Sequence, residues 1–475
     1  MKVTTIQPIL KMKKSASRRS FIKKAGATAA ALAVGNQAIA NKNVHILSSK
    51  IKLNSADELR IGLIGSGIIG HYDTDTALKV AGVKLVAVCD LYTGRLERAK
   101  EKWGKDIFTT RDYRELLVKS DIDVVLICTS DNWHKQIAVD ALKAGKHVYC
   151  EKPMVQYIEQ GQEIIDAQKA GGKVFQVGSQ RASSAAILKA KEYYESGIIG
   201  ELTNVQASNE RWNSGGAWNY AIPTDASPET VDFDTFLGDA PKVPFDPVRF
   251  FRWRNFKEYG TGVAGDLFVH LLTGVHVITG AIGPNKIYAL GDLNYWKDGR
   301  NANDLVTGIL NYPETKEHAS FQFITQVNLA TGSKKGNSAT RLIGTEGVIN
   351  IGWNDFTIET LKRPAKPGYG GYDSFESFSA KQKVEYEKWY AATYGDTKTV
   401  VENNEPIEFK LKKDYDDRLD HMIVFFNAVR ANRPQDIVED ATFGLRAAAP
   451  SIACNMSAEK QAPIMWDAVN MKVIG

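Results

Sequence analysis

Three ionisable residues, a pair close in the chain and a more distant lysine, have the types and spacing needed to remove a proton from a substrate hydroxyl. Asp266 and His270 are four residues apart, which places two side chains on one face of a helix. Imidazole titrates near neutral pH, so His270 is the predicted general base, and Asp266 would orient the substrate or tune its neighbours. Lys152 follows an apolar strand, and its amine could stabilise a developing alkoxide. Alternatively, Lys152 is an ordinary surface lysine and His270 has only a structural role. His276 is predicted to have a structural role.

A glycine-rich turn nearer the N-terminus is typical of a dinucleotide site. The apolar run 59–64 leads into a turn, a helix, a second strand at 83–89 and an acid, Asp90. In such a motif the first glycine permits the tight turn, the second lets the backbone approach a pyrophosphate, and the third lets helix and strand pack closely. The N–H groups at the start of the helix favour phosphate charge. The turn consists of Gly65, Ser66, Gly67, Ile68, Ile69 and Gly70.

The acid after the second strand bears on the choice between NAD and NADP. Asp90 would accept hydrogen bonds from both ribose hydroxyls of NAD and would repel a 2′-phosphate. Arg95 lies close to Asp90 in the sequence, and its positive charge could accommodate the 2′-phosphate of NADP. The chain is therefore predicted to bind NAD, with NADP as the alternative.

Further alternating strands and helices extend this first domain. Predicted strands at 122–128, 146–150 and 173–178, with helices between them, indicate a doubly wound parallel sheet over residues 58–180. Ligands bind outside the carboxyl ends of such strands. The residues predicted there as cofactor contacts are Gly65, Ser66, Gly67, Ile68, Ile69, Gly70, Asp90, Thr129, Asp131, Trp133, His134, Glu151, Lys152 and Gln180.

The alternation stops after residue 180, which predicts a second, α+β domain over residues 181–475. Strand-like runs at 202–209, 286–293, 305–311, 318–328 and 339–344 are mostly joined by short polar turns, so a large, mostly antiparallel open sheet is expected. Residues 211–262 are predicted to form a long loop over the site. Sugars stack on aromatic rings and hydrogen-bond to polar groups, and the chain offers both here. The predicted substrate contacts are Arg181, Trp212, Asn213 and Arg254, with Trp218, Tyr220 and Trp253 as further aromatic candidates.

The first 40 residues read as a signal peptide rather than as part of the fold. A basic head with consecutive arginines, Arg18 and Arg19, precedes a short alanine-rich apolar run and the small residues Ala38 and Ala40. This order predicts a twin-arginine signal and export to the periplasm, with a basic disordered arm as the alternative. Residues 41–57 are predicted to be a linker. The apolar run is too short to span a bilayer, so no stable membrane insertion is expected.

Composition bounds the remaining possibilities. The chain has 475 residues, 43% of them hydrophobic and 24% charged, as in a soluble protein of two domains. Residues 1–40 hold eight Lys or Arg and no acid, so 52 basic and 55 acidic residues remain, and no nucleic-acid surface is predicted. None of the four cysteines has CxxC spacing, so no metal site is predicted. Buried thiols are the expectation, with a Cys128–Cys150 disulfide as the alternative.

Several of these motifs together resemble the Gfo/Idh/MocA oxidoreductases. The resemblance is carried by the glycine turn, Trp133-His134, Glu151-Lys152-Pro153, Gly178-Ser179-Gln180-Arg181, Asp266 with His270, and Asp420-His421-Met422. It implies a cis bond at Pro153, an open sheet used for homo-oligomer contacts in a dimer or tetramer, and a sugar or cyclitol substrate. In many relatives an aspartate stands where this chain has Thr273.

The function expected from these features is hydride transfer between a ring hydroxyl of a sugar or glycoside, with C3 as a candidate carbon, and a nicotinamide cofactor. Export of a folded protein would favour a tightly bound NAD, since free NAD should be scarce outside the cytoplasm. The alternative is an NAD-dependent, redox-assisted glycoside hydrolase acting through a transient keto-sugar. Such relatives usually carry a histidine- and tyrosine-rich stretch where this chain has Gly260–His270. A third hypothesis is a non-catalytic sensor of sugar or cofactor.

Overall fold

A computed structural model describes residues 44–334, 338–361, 366–395 and 404–474. The predicted signal segment, residues 1–40, lies outside these residues.

The first domain is built on a six-stranded parallel sheet with the strand order β4-β3-β2-β5-β6-β7. Its central strands are apolar and buried because helices cover both faces. The strands are β2 (Leu59–Ile64), β3 (Val83–Cys89), β4 (Phe108–Thr110), β5 (Val124–Ile127), β6 (His147–Cys150) and β7 (Phe175–Val177). The helices between them are Ile68–Leu78, Thr93–Trp103, Tyr113–Leu117, Asp131–Lys143 and Gln160–Gly171. The predicted doubly wound sheet is confirmed, and the strand order reverses between β2 and β5, where such sheets bind ligands.

The second sheet has eleven strands in the order β1-β15-β14-β13-β12-β8-β11-β10-β9-β16-β17. In its described part, β1 with β15 and β8 with β11 pair in parallel and the other pairs are antiparallel. The strands are β1 (Val44–Leu47), β8 (Leu202–Glu210), β9 (Lys286–Asp292), β10 (Leu305–Tyr312), β11 (Phe321–Asn328), β12 (Ala339–Gly344), β13 (Gly347–Ile351), β14 (Asp355–Thr360), β15 (Ile407–Leu411), β16 (Ile464–Asp467) and β17 (Lys472–Ile474). The predicted large, mostly antiparallel sheet is confirmed.

Helices cover one face of this sheet and leave the other open. Buried and exposed residues alternate along β10 and β11, which is the pattern of a sheet with one face packed. The longer helices of this part are Ala185–Glu195, Val269–Thr279, Ala380–Tyr394, Asp417–Ala431 and Ala441–Lys460, and the shorter ones are Phe233–Leu237 and Pro247–Phe251. On the open face, Ile309 lies between Tyr288 and Ile324 on the neighbouring strands, and all three are exposed.

The structure differs from the predicted domain division at two places. The segment 41–57, predicted as a linker, contributes β1, which pairs with β15 more than 360 residues later. In addition, Met422, Phe425 and Phe426 of the helix Asp417–Ala431 pack with Ile61 and other residues of the first sheet. The C-terminal half of the chain therefore completes the core of the first domain.

Over the residues that the structure describes, no helix is long and apolar enough to cross a lipid bilayer. All four cysteines are buried free thiols, so the Cys128–Cys150 disulfide considered above is not formed. In the same residues no three His, Cys, Asp or Glu side chains are grouped so that they could hold a metal ion.

Candidate active site

A cavity of about 810 Å³ runs along the carboxyl ends of the parallel strands and continues under the second domain. Gly65 and Gly67 line one end of it, and Lys152, Asp266 and His270 line the other. This volume lies in the range of small-molecule and cofactor sites. The two groups of residues singled out in the sequence therefore face one space.

The glycine turn has the geometry that a dinucleotide requires. Gly65 has a φ of +92°, a backbone conformation that residues other than glycine rarely adopt. Its N–H donates a hydrogen bond to the Cys89 carbonyl at 2.8 Å. A Cβ on Gly70 would overlap the carbonyl oxygen of Gly65, so only glycine allows the helix to pack this closely. The helix starting at Ile68 presents its first N–H groups beside the cavity. Ser66 and Gly70 do not line the cavity but form the turn beneath it.

Asp90 is fixed at the end of β3 by the backbone around it. Its Oδ2 accepts a hydrogen bond from the Ser66 N–H at 2.7 Å, and its Oδ1 accepts one from the Tyr92 N–H at 2.9 Å. The guanidinium of Arg95 lies 3.5 Å from Oδ2 and over the ring of Phe251. Both Asp90 and Arg95 line the cavity. Asp90 favours NAD as the cofactor, and Arg95 leaves NADP as the alternative.

Lys152, Asp266 and Arg254 form a buried cluster of charges at the other end. The Lys152 ammonium donates to the Asp266 carboxylate at 2.9 Å and to the Asp266 carbonyl at 3.0 Å. Arg254 Nε donates to the same carboxylate oxygen at 3.2 Å. Burial raises the pKa of Asp266, but Lys152 and Arg254 outweigh it and hold this pKa well below the ordinary value. Asp266 is therefore ionised and fixes the lysine ammonium at the cavity wall.

The helix geometry around Asp266 differs from the prediction. Residues Ala264–Phe268 form a π-helical turn, and the α-helix Val269–Thr279 begins only after it. Such turns are frequent at functional sites. Asp266 and His270 nevertheless both line the cavity, although they do not share a regular helix face.

His270 lies in the same wall as an uncharged imidazole. Burial, and then the nearby Lys152 ammonium, lower the pKa of His270 well below its ordinary value. Its ring makes no hydrogen bond within the described part of the chain, so both nitrogens remain available to a substrate. His276, by contrast, is buried and lies 2.8 Å from the Tyr312 hydroxyl, in agreement with the structural role predicted for it.

Two predicted cofactor contacts, Asp131 and His134, do not line the cavity. His134 Nδ1 lies 2.7 Å from the carbonyl of Pro153, whose peptide bond with Lys152 is cis, as the resemblance implied. Asp131 Oδ2 accepts hydrogen bonds from the Thr261 N–H at 3.0 Å and hydroxyl at 2.9 Å. Burial, together with the nearby Asp266, raises the pKa of Asp131 to about 7. The side chains of Asp131 and His134 therefore point into the protein, where they contact the chain segments that carry Asp266 and Lys152.

The remaining predicted cofactor contacts, Thr129, Trp133, Glu151 and Gln180, line the cavity. Gln180 donates to the Glu151 carboxylate at 3.0 Å and to the Tyr149 hydroxyl at 3.2 Å. Burial and the neighbouring Glu151 raise the pKa of Asp73 well above its ordinary value. Asp73 was not predicted, because an acid in the middle of the helix Ile68–Leu78 belongs to no local motif.

Thr273, where many relatives have an aspartate, lies beside a carboxyl from another part of the chain. Its hydroxyl donates to Glu439 Oε1 at 3.2 Å, and burial raises the pKa of Glu439 well above its ordinary value. A carboxyl group is therefore present next to this position without an acid in the motif itself.

The predicted substrate contacts divide into two groups. Arg181, Trp218, Tyr220, Trp253 and Arg254 line the cavity. The placement of Trp212 and Asn213 differs from the prediction. Trp212 is 48% exposed outside the cavity, and Asn213 Oδ1 accepts a hydrogen bond from the Gly216 N–H at 2.6 Å.

Arg211 lines the cavity in place of Trp212. Strand residues alternate between faces, and Ala207 and Asn209 are buried, so the period of two along β8 points residue 211 inward and residue 212 outward. That alternation was the signal that could have identified Arg211. Trp353, which follows β13, also lines the cavity and was not predicted.

The loop region 211–262 closes over the cofactor end of the cavity. Residues 222–259, here called the strap, contain the apolar cluster of Phe236, Phe250 and Phe251, which packs with Tyr92 of the first domain. The Tyr92 hydroxyl donates to Asp225 at 2.6 Å, and the Asp232 N–H donates to the Leu91 carbonyl at 2.9 Å. The Trp133 indole donates to the Phe236 carbonyl at 3.0 Å. The strap is thus anchored to the domain that carries the glycine turn.

Comparison with known proteins finds similarity over different parts of the chain. Residues 59–179 match the sequence model of the Gfo/Idh/MocA oxidoreductase family, described as an NAD-binding Rossmann fold. Inositol 2-dehydrogenase of Salmonella typhimurium is 37% identical over 167 residues, which cover 35% of this chain and 49% of the relative. Alpha-N-acetylgalactosaminidase of Shewanella oneidensis is 30% identical over 208 residues, 40% of this chain and 45% of the relative. The chain therefore spans about half the length of these curated relatives.

Solved structures show the same fold over more of the chain. Levoglucosan dehydrogenase in complex with NADH and levoglucosan has a TM-score of 0.58 at 18% identity, covering 86% of this chain and 99% of that one. The WlbA dehydrogenase from Bordetella pertussis, in complex with NADH and UDP-GlcNAcA, has a TM-score of 0.59 at 17% identity, covering 86% and 98%. At this identity the likeness shows the fold alone.

Proposed function

We propose that the whole protein is an NAD(P)-dependent oxidoreductase acting on CH–OH groups of carbohydrates, because residues 59–179 match the NAD-binding Rossmann model of the Gfo/Idh/MocA oxidoreductase family. The reaction transfers a hydride between the carbon of a sugar or glycoside ring hydroxyl, with C3 as a candidate, and the nicotinamide. One observation carries this proposal. The Lys152–Asp266 ion pair and His270 face the same cavity as the glycine turn.

The residues around that turn fit NAD. Gly67 leaves room for a pyrophosphate to approach the backbone, since a Cβ there would meet nothing closer than Arg95 at 3.8 Å, and Asp90 is held rigidly where a ribose would lie. Thr129, Trp133 and Gln180 line the space between this end and Lys152. When bound, NAD supplies the acceptor or donor of the hydride.

The chain's own residues manage the proton and the charge on the substrate oxygen. His270 is neutral and accepts the hydroxyl proton on a ring nitrogen. The Lys152 ammonium donates a hydrogen bond to the same oxygen and stabilises its negative charge as the proton leaves. Asp266 keeps that ammonium in place, and Arg254 shares the carboxylate so that it stays ionised. Trp218 and Trp253 line the space in which the sugar ring would lie.

The proposal includes a tightly held cofactor and export. The strap supports retention, because it bridges the two parts of the chain across the end of the cavity that holds Asp90 and Arg95. The basic head, apolar run and Ala38-Ile39-Ala40 of residues 1–40 support export through the twin-arginine pathway. Export of the folded, loaded protein would bring the cofactor to the periplasm.

A second candidate is the NAD-dependent, redox-assisted glycoside hydrolase. Similarity to an α-N-acetylgalactosaminidase favours it. In this reaction the same residues would oxidise a ring hydroxyl transiently, and the leaving group would depart before the ring is reduced again. The segment Gly260–His270, which has one histidine and no tyrosine, argues for the net oxidoreductase instead.

The test begins with the purified protein as it is expressed. Mass spectrometry identifies the bound nucleotide, and sugars and aryl glycosides are then added while the absorbance of reduced nicotinamide is followed. A keto-sugar formed with stoichiometric cofactor reduction supports the oxidoreductase. Release of free sugar and aglycone without net reduction supports the hydrolase. Absence of a bound or bindable nicotinamide nucleotide would refute both.

We also propose that the protein is a homo-oligomer, a dimer or tetramer. The exposed residues Tyr288, Ile309 and Ile324 form an apolar row across three strands of the open sheet face. Light scattering on the purified protein measures the mass in solution. The expected result is a mass that falls to that of one chain in the Ile309→Lys variant, and a monomeric wild type would contradict the proposal.

A further inference from the structure

A second, much smaller cavity lies beside the active site. Its volume is about 30 Å³, and three residues, Arg181, His270 and Trp353, line both this crevice and the main cavity. A water molecule needs about 10–15 Å³ of such space, so the crevice has room for a hydroxyl or hydroxymethyl group but not for a sugar ring. Arg181, His270 and Trp353 therefore form a wall between the main cavity and a second, smaller space.

The most exposed part of this wall is Trp353. The guanidinium of Arg181 lies over its ring, 5.0 Å from the centroid, and Arg181 Nη2 donates to the Gly352 carbonyl at 3.1 Å. These two contacts from one side chain fix the tryptophan at the mouth of the cavity. Even so, 53% of Trp353 remains exposed. A rigid, half-exposed indole beside a sugar site is a platform onto which a second ring can stack.

Polar side chains line the crevice next to this indole. Thr340 of β12 lies in register with Ala207 of β8 on one side and with Ile351 of β13 on the other. Asn209, two residues after Ala207, and Trp353, two residues after Ile351, therefore lie near Thr340 where these strands end, and all three residues line the crevice. Together they offer an apolar face for the C–H groups of a pyranose and polar groups for its hydroxyls.

From these contacts we propose that Trp353, Arg181 and the crevice form a second sugar subsite, and that the favoured substrate is a glycoside of at least two sugar units. The reacting ring lies in the main cavity against Lys152 and His270. The neighbouring ring stacks on Trp353 and places a hydroxyl in the crevice. This inference rests on the proposed function, since such a subsite has meaning only beside a cavity that binds a sugar.

The test compares matched pairs of substrates. The kcat/KM values of the NAD-loaded protein are measured for cellobiose and maltose against glucose, and for lactose against galactose. The wild type is expected to prefer at least one disaccharide over its monosaccharide. Trp353→Ala is expected to lower this preference about tenfold, which corresponds to about 1.4 kcal/mol. Trp353→Phe, which keeps an aromatic face, should retain most of the preference, and Thr340→Val should lower it by a smaller factor.

Two matched controls separate the subsite from general effects. Trp389→Ala removes a tryptophan that is 51% exposed on the helix Ala380–Tyr394, and Thr325→Val removes a buried hydroxyl on β11. Neither residue lines the main cavity or the crevice, so both variants should keep the wild-type preference.

The outcomes distinguish this inference from the function on which it depends. If no sugar reduces the bound cofactor, the proposed function fails. If sugars react but no disaccharide is preferred, or if Trp353→Ala leaves the preference unchanged, only the subsite is refuted. If Trp353→Ala does not fold, Trp353→Phe and Thr340→Val decide, and a wild-type preference in Thr340→Val would remove the crevice from the proposal.

Discussion

Replacement of Lys152 by methionine tests the centre of the proposed chemistry. Methionine keeps most of the side-chain volume and removes the ammonium that donates to Asp266 at 2.9 Å. The Asp266 carboxylate is not left alone, because Arg254 still lies 3.2 Å from it. We therefore expect a folded protein whose free energy of unfolding falls by less than the roughly 3–5 kcal/mol that loss of a sole buried partner costs.

The expected loss of activity follows from the charge that develops on the substrate oxygen. An ammonium about 3 Å from an alkoxide, at an effective dielectric constant of about 20, contributes at most about 5.5 kcal/mol. Removal of one such donor in other enzymes costs about 2.7–4 kcal/mol, or a factor of about 10²–10³ in kcat. We expect Lys152→Met to lie in that range. Lys152→Arg keeps the charge in another geometry, so its kcat should fall less.

The assay is single-turnover reduction of the bound cofactor after addition of the best sugar. Cofactor content is measured for each variant by mass spectrometry, so that a loss of chemistry is not mistaken for a loss of NAD. Lys79→Met is the control, since the Lys79 ammonium pairs with Asp416 at the surface, 3.3 Å away. A rate within about threefold of the wild type, with the cofactor bound, would refute the assigned role of Lys152.

Three further predictions concern the cofactor and stability. Gly70→Ala should lower the NAD content of the purified protein at least about tenfold, because its Cβ overlaps the Gly65 carbonyl; wild-type content measured by mass spectrometry would contradict the turn geometry. Tyr92→Phe removes the 2.6 Å hydrogen bond to Asp225 and should speed NAD release about fivefold, equivalent to about 1 kcal/mol, in an exchange assay with isotope-labelled NAD. An unchanged release rate would show that this anchor does not retain the cofactor. Burial lowers the pKa of His421 to about 4, so the unfolded chain binds more protons below its ordinary pKa of about 6.5. The free energy of unfolding should therefore fall between about pH 6.5 and 4, by up to about 3 kcal/mol from this residue, and urea titrations should show a shallower fall in His421→Gln.

The parts of the fold that depend on local spacing could be predicted from the sequence. The turn from Gly65 to Gly70 has its strand, helix and acid within about thirty residues, so one window contains the whole unit. The strand β1 could not be predicted in the same way. It has four residues, and its partner β15 lies at the other end of the chain. The packing of the helix Asp417–Ala431 onto the first sheet is likewise a long-range contact.

The candidate site divides along similar lines. Lys152 was singled out at the end of a strand, Asp266 by its spacing from His270, and Arg254 as a substrate contact in the loop region. The three side chains meet in the structure. The direction of a side chain was harder to predict. The period of two along β8 would have predicted Arg211, and not Trp212, as the residue that faces the cavity. Trp353 follows the short strand β13 and carries no motif, so only the pairing of β13 with β12 brings it to the cavity.

Asp131 and His134, two predicted cofactor contacts that do not line the cavity, explain how the charge cluster is positioned. Asp131 and His134 are three residues apart in the first turn of one helix, so their side chains lie on the same side of it. Asp131 binds Thr261, five residues before Asp266, and His134 contacts the carbonyl of Pro153, directly after Lys152. A single helical turn thus fixes both chain segments that supply the ion pair. The sequence predicted that this helical turn belongs to the site. In the structure the turn holds the chain segments of Lys152 and Asp266 close to each other.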